Sequence, residues 1–206
     1  MKKANEKKRK ISMIKRMLSY GIDWYLGSVL SSLPIIILYL GLYPHAKSIA
    51  QNLLIFPASY RILAGVLSLS VSMFYYVGVP LFLWPGQTVG KKLMKLKIVD
   101  YEGDEASYQQ IIIRQFVMCM IVESSMYTVS GMMHQMIYVI THLSIGKMYN
   151  TIGLVVTLAS GVMAFFLPEK RALHDYVART ALVTYNVEKN SKCIEEKHQK
   201  RYIAEG

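Results

Sequence analysis

Apolar residues in this chain run in long uncharged blocks. Positions 24–43 hold 20 residues without a charge, and positions 62–83 hold 22. At ~1.5 Å per residue, either block crosses a hydrocarbon core of ~30 Å as one helix. Positions 151–167 are equally uncharged but only 17 long, at the lower limit of about 17 for a crossing. Positions 108–130 are apolar apart from Arg114 and Glu123. The pattern predicts an all-α polytopic membrane protein of four transmembrane helices, at about 17–43, 61–83, 108–130 and 151–167. They form one domain, 16–186, between a basic tail, 1–15, and a polar tail, 187–206. The first block exceeds the ~7–15 residues of a secretory signal core, and further spans follow, so it reads as a permanent helix. Pro34 predicts a kink in it, with Ser31 and Ser32 near enough to bond the carbonyl that proline frees.

The connections have patterns of their own. After the second block, Lys91, Lys92, Lys95 and Lys97 alternate with apolar residues, as in an amphipathic segment facing anionic lipid on the cytoplasmic leaflet. Positions 96–99, followed by Asp-Tyr-Glu-Gly-Asp, suit a short strand and turn, and positions 180–185 form a second strand able to pair with it. Positions 49–56 suit a short interfacial helix, and positions 132–148 an outer connection, partly helical or re-entrant. Gly86 to Lys91 is not a phosphate-binding loop: only three residues separate Gly86 from Gly90, and Lys92 stands where Ser or Thr should follow.

Charge then fixes an expected orientation. The net charge is +11, but the basic residues sit in tails and connections, which membrane threading explains better than nucleic-acid binding. With four spans, 21 of the 24 Lys and Arg residues fall on the side of the termini and the middle connection, which places both termini in the cytoplasm. Cys119 and Cys193 have no spaced partners, and His134 and His142 lack a third ligand, so neither a disulfide, a metal nor a cofactor is expected. No nucleophile stands in a catalytic setting, so an enzyme is not expected.

Charges inside or beside the spans are the candidate chemistry. Arg16 and Asp23 are seven apart, on one helix face about 10 Å from each other along the axis. If the membrane boundary falls at Arg16, Asp23 needs a partner such as Arg16, Arg114 or Arg171; if it falls at Trp24, water is enough. Arg16, Asp23, Arg171 and Asp175 all fall at one membrane face and can form a charge cluster, with His174 titrating near neutrality. Glu123 is the deepest acid and, with Asp23, a candidate ion or proton site; Tyr127 is one turn away and could bond it instead. On an α-helix Arg114 and Glu123 lie on opposite faces.

Three blocks in this order, Arg16 and Asp23, Gly86 to Leu93 with Lys97 to Asp100, and Arg171 to Asp175, resemble the RDD family of bacterial membrane proteins, named for an arginine and two aspartates. Asp175 matches the second aspartate, while Arg179 departs from the small Ala-Gly-Thr ending of the family. The resemblance implies a bacterial cytoplasmic membrane location and, since some members are linked to sodium/proton antiport, proton-coupled movement of an ion or small solute. The alternative is a membrane accessory that binds a partner protein or anionic lipid. Four helices enclose few interior positions, so a solute path is expected at a homo-oligomer interface.

Overall fold

The computed structural model describes residues 12–46, 52–123, 128–167, 169 and 171–185. Tyr127, residues 1–11 of the basic tail and all of the polar tail lie outside the described residues, and Met13 to Lys15, expected in the basic tail, instead open the first helix. The helices are α1 (Met13–Leu42), α2 (Ala58–Leu83), α3 (Val89–Leu93), α4 (Tyr108–Val122), α5 (Thr128–Thr141), α6 (Gly146–Phe166) and α7 (Leu173–Val177). A single 3-10 turn, Leu53–Ile55, stands where the sequence pattern predicts an interfacial helix. Strands β1 (Leu96–Asp100) and β2 (Thr180–Thr184) pair antiparallel, Leu96 opposite Thr184 and Asp100 opposite Thr180.

Among the described residues, three helices are long and apolar enough to cross a membrane: Met13–Leu42, Ala58–Leu83 and Met148–Phe166. The third expected span is instead broken. Its helix stops at Val122, and a separate helix, α5, begins at Thr128. α5 buries Met132 and Met136 with Ile35, Leu53, Phe56 and Ala64 in a core between α1 and α2.

α1 and α2 run antiparallel through a seam of small residues. A Cβ on Gly27 would overlap the Tyr76 hydroxyl, and Ser68 donates to the Ser31 carbonyl at 2.7 Å. Close backbone approach is what small residues provide where lipid supplies no hydrophobic drive between helices. Ser31 and Ser32 both donate to the carbonyl of Ser28 and not to that of Leu30, the group Pro34 frees. α1 remains one continuous helix.

Two stretches, Phe74–Leu83 of α2 and Ile113–Val122 of α4, are π-helical. In the first, Pro80 cannot donate, so the ladder shifts to the wider bonding that continues in Trp84 N–H to the Val79 carbonyl. The second changes which residues share a face. At roughly 4.5 residues per turn, nine positions make two turns, so Arg114 and Glu123 lie on the same side with Cys119 between them. Arg114, Cys119 and Glu123 are all buried. Their expected placement on opposite faces is corrected by this underwinding.

The sheet then brings the far end of the chain home. Leu96, Ile98 and Leu182 form its buried face, and Ile98 N–H also donates to the Gly86 carbonyl at 2.8 Å. Gly86 has φ +72°, and a Cβ there would lie 2.5 Å from the Ile98 carbonyl oxygen, so only glycine lets this turn lie on the strand. With β2 fixed to β1, α7 is held beside α4 and the start of α1.

Candidate functional site

The buried charges gather toward the end of the bundle where α1 begins, in two clamps and a third pair beside the second, with His174 Nε2 3.8 Å from Asp175 Oδ1. The first clamp is built on Asp23. Its Oδ1 accepts from the Tyr75 hydroxyl at 2.9 Å and from Gly90 N–H at 2.8 Å. Its Oδ2 accepts from Thr88 Oγ1 at 2.5 Å and from Lys91 Nζ at 3.0 Å. A carboxylate has about four lone-pair sites, and four donors occupy them. The Tyr76 hydroxyl donates to the Asp23 backbone carbonyl at 3.0 Å. Asp23 thus fastens α1 to the wide part of α2 and to the turn that leads into α3.

The second clamp is built on Asp175, fully buried at the third position of α7. It caps that helix by accepting from Ala172 N–H at 3.1 Å. Arg16 Nη2 lies 2.5 Å from Oδ2, and Arg114 Nη2 lies 2.7 Å from Oδ1. Burial alone would raise the Asp175 carboxyl; Arg114, His174 and Arg16 outweigh it and hold the group well below the usual carboxylate range. One aspartate therefore joins α1, α4 and α7.

The third pair is Glu123 with His174. His174 Nδ1 lies 3.1 Å from both Glu123 oxygens, and Ser160 on α6 donates to Glu123 at 2.6 Å. Leu173 N–H donates to the same Ser160 hydroxyl at 3.0 Å, so α6, α7 and the end of α4 meet at one carboxylate. Burial disfavours the charged imidazole, but Cys119, Asp175 and Glu123 beside it prevail and raise the pKa of His174 to about 10, above the near-neutral titration expected from its sequence context. Donor atoms of Cys119, Glu123 and His174 lie within 4.8 Å of one another, a set that also suits a borderline-soft cation.

Glu123 and His174 line a cavity of ≈570 Å³ between α1, α4 and α6, within the usual size range of small-molecule sites. Arg16, Lys91 and Arg114 line it as well, whereas Asp23 and Asp175 do not. The cations stand in front and their aspartates behind.

Several expected placements are corrected. Arg16 serves Asp175 and not Asp23, because Lys91 reaches Asp23 from the α3 turn first. Arg171 is outside both clamps: it lies 3.5 Å from Glu169 and faces the Tyr101 ring at 4.2 Å. Arg114 holds Asp175 in its place. Lys91 turns inward rather than to lipid, Lys97 pairs with Glu105 at 2.7 Å, and Lys92 sits over the Trp84 ring at 3.7 Å. Lys95 is exposed, at φ 55° in the turn before β1. Thr88, Gly90 and Tyr75 carried no expectation, although the first two stand in the block that bears the family resemblance.

A helical membrane protein, with its buried charges collected into clamps at one end of the bundle, is the class that this fold and site define. Within that class the RDD family model matches residues 11–179, and the chain belongs to the RDD family. No curated protein and no solved structure matches it.

Proposed function

We propose that the chain crosses a bacterial cytoplasmic membrane four times, α4 and α5 together making the third crossing, with both termini in the cytoplasm. In that membrane it supports proton-coupled movement of an ion or small solute. The charge bias of the connections supports the orientation. The observation that carries the transport reading is the Glu123–His174 pair on the wall of the cavity, since a buried acid beside an imidazole is a proton-handling arrangement. Asp23 has every lone pair engaged and acts as a structural clamp. Glu123 takes the proton role.

In proteoliposomes with an imposed pH gradient, Glu123→Gln is expected to lower cation-dependent proton flux by about a hundredfold or more, the size typical of losing a positioned proton-transfer group. The variant should elute as wild type does. Flux equal to wild type in folded Glu123→Gln ends the transport reading.

A second reading, an accessory that docks anionic lipid or a partner protein, rests on the exposed Lys92, Leu93 and Lys95. On that reading, reversing both lysine charges removes the partner or the vesicle, and no flux is seen in any variant.

A further inference from the structure

The cavity is lined both by unmet donors and by apolar side chains that are exposed on the protein surface. Arg114 is 3% exposed and Gln115 5%, yet among the described residues Arg114 Nη1, Gln115 Nε2 and Thr157 Oγ1 are buried without a hydrogen-bond partner. All three residues line the cavity. Buried donors left without acceptors cost roughly 1–3 kcal/mol each, so three around one space point to an acceptor that enters it. Arg16 and Lys91 line the same space, and Glu123, the one acid among the described lining residues, is already engaged by His174 and Ser160. The field in the cavity favours an anion.

Other lining residues are apolar. Leu158, Val162, Phe165 and Phe166 of α6, with Met17 of α1, line the cavity and are also exposed on the outer surface. The wall is therefore continuous with the face these helices turn outward, and an acyl chain can enter sideways. A cavity lined by cationic donors and by apolar side chains continuous with the outer surface matches one kind of molecule in both charge and polarity.

We propose that the cavity binds a single-chain anionic amphiphile, its carboxylate or phosphate on Arg114 Nη1, Gln115 Nε2 and Thr157 Oγ1 and its chain along α6. This names the ligand class of the site in the preceding transport reading and rests on it for relevance, but binding is measured without a gradient. Either can therefore fail alone.

The test is retention of defined amphiphiles by the purified full chain in detergent, read by native mass spectrometry. Oleate and lysophosphatidate are expected to be retained at least about tenfold more than oleyl alcohol, which has the chain without the charge. The double variant Gln115→Leu, Thr157→Val should lose that preference with a melting temperature no lower than wild type, since neither residue belongs to a clamp and each substitution removes an unpartnered buried donor. Gly161→Phe provides a second handle: Gly161 lines the cavity and a Cβ there meets nothing within 4 Å, so the ring fills space that the chain would occupy. Equal retention of oleate and oleyl alcohol overturns the proposal, as does unaltered oleate retention in both variants. Displacement of oleate by inorganic phosphate at equal concentration also overturns it, by showing a site for the free anion. Oleate retention without any flux leaves the ligand class standing and removes transport.

Discussion

Asp175→Ala is expected to destabilise the protein by about 3–5 kcal/mol, the usual cost of leaving a buried ion pair without one partner. Its melting temperature in detergent should fall by about 6 °C or more. The loss is large because one carboxylate neutralises two arginines, Arg114 at 3% side-chain exposure and Arg16 at 14%. It also removes the cap of α7. Exchanging all three side chains for apolar residues, Arg16→Met, Arg114→Met and Asp175→Leu, should recover part of the loss, because the cost lies in the unpaired charges. The pH dependence follows the same carboxylate. Its folded pKa lies below the unfolded value of about 3.9, so its stabilisation is fully present above about pH 4 and is lost as pH falls through the folded value. Asp175→Ala should lack this part of the acid limb. A thermal midpoint within about 2 °C of wild type at neutral pH contradicts the three-way clamp.

Gly90→Ala is expected to cost on the order of 3 kcal/mol, from overpacking and from hydrogen bonds pulled out of register. A Cβ at this position would overlap the Ser19 carbonyl oxygen and lie 2.9 Å from Asp23 Cγ. The obstacle is backbone, so α3 must withdraw from α1. That movement takes the Gly90 N–H, Thr88 and Lys91 away from Asp23 together. Gly131→Ala is the control: its Cβ meets nothing within 4 Å, and helix propensity alone predicts a small gain of up to about 1 kcal/mol. Equal melting temperatures for the two variants would show that α3 does not rest on α1 through this glycine.

The long apolar blocks make the three crossing helices legible, because an uncharged run of that length is long enough to cross a bilayer and has no polar face to turn toward water. The short strands are legible as well, from β-forming residues beside an acidic turn. The third span is not. Residues 113–122 contain neither glycine nor proline, so nothing in their pattern signals π-helical widening, and the α-helical period puts Arg114 and Glu123 on the wrong faces. Once the face is misassigned, the partner of Asp175 is misassigned too, and Arg171, nearer in sequence, is drawn into the cluster in place of Arg114. The aspartates themselves are identifiable as charges that need partners. Which cation reaches which aspartate depends on the turn at 86–91, in which Gly86 lies against β1 and Gly90 gives its N–H to a carboxylate of α1 rather than to a phosphate.

Which aspartate Arg16 serves separates two independent clamps from one merged cluster, and a pair of double-mutant cycles measures it directly. Arg16→Met is combined in one cycle with Asp175→Ala and in the other with Asp23→Asn, and unfolding free energies are compared. The ion pair at 2.5 Å predicts a coupling above about 1 kcal/mol for Arg16 with Asp175. It predicts additivity within about 0.5 kcal/mol for Arg16 with Asp23, whose carboxylate is filled by other donors. Strong coupling of Arg16 to Asp23, with additivity toward Asp175, would contradict the division of these charges into two clamps.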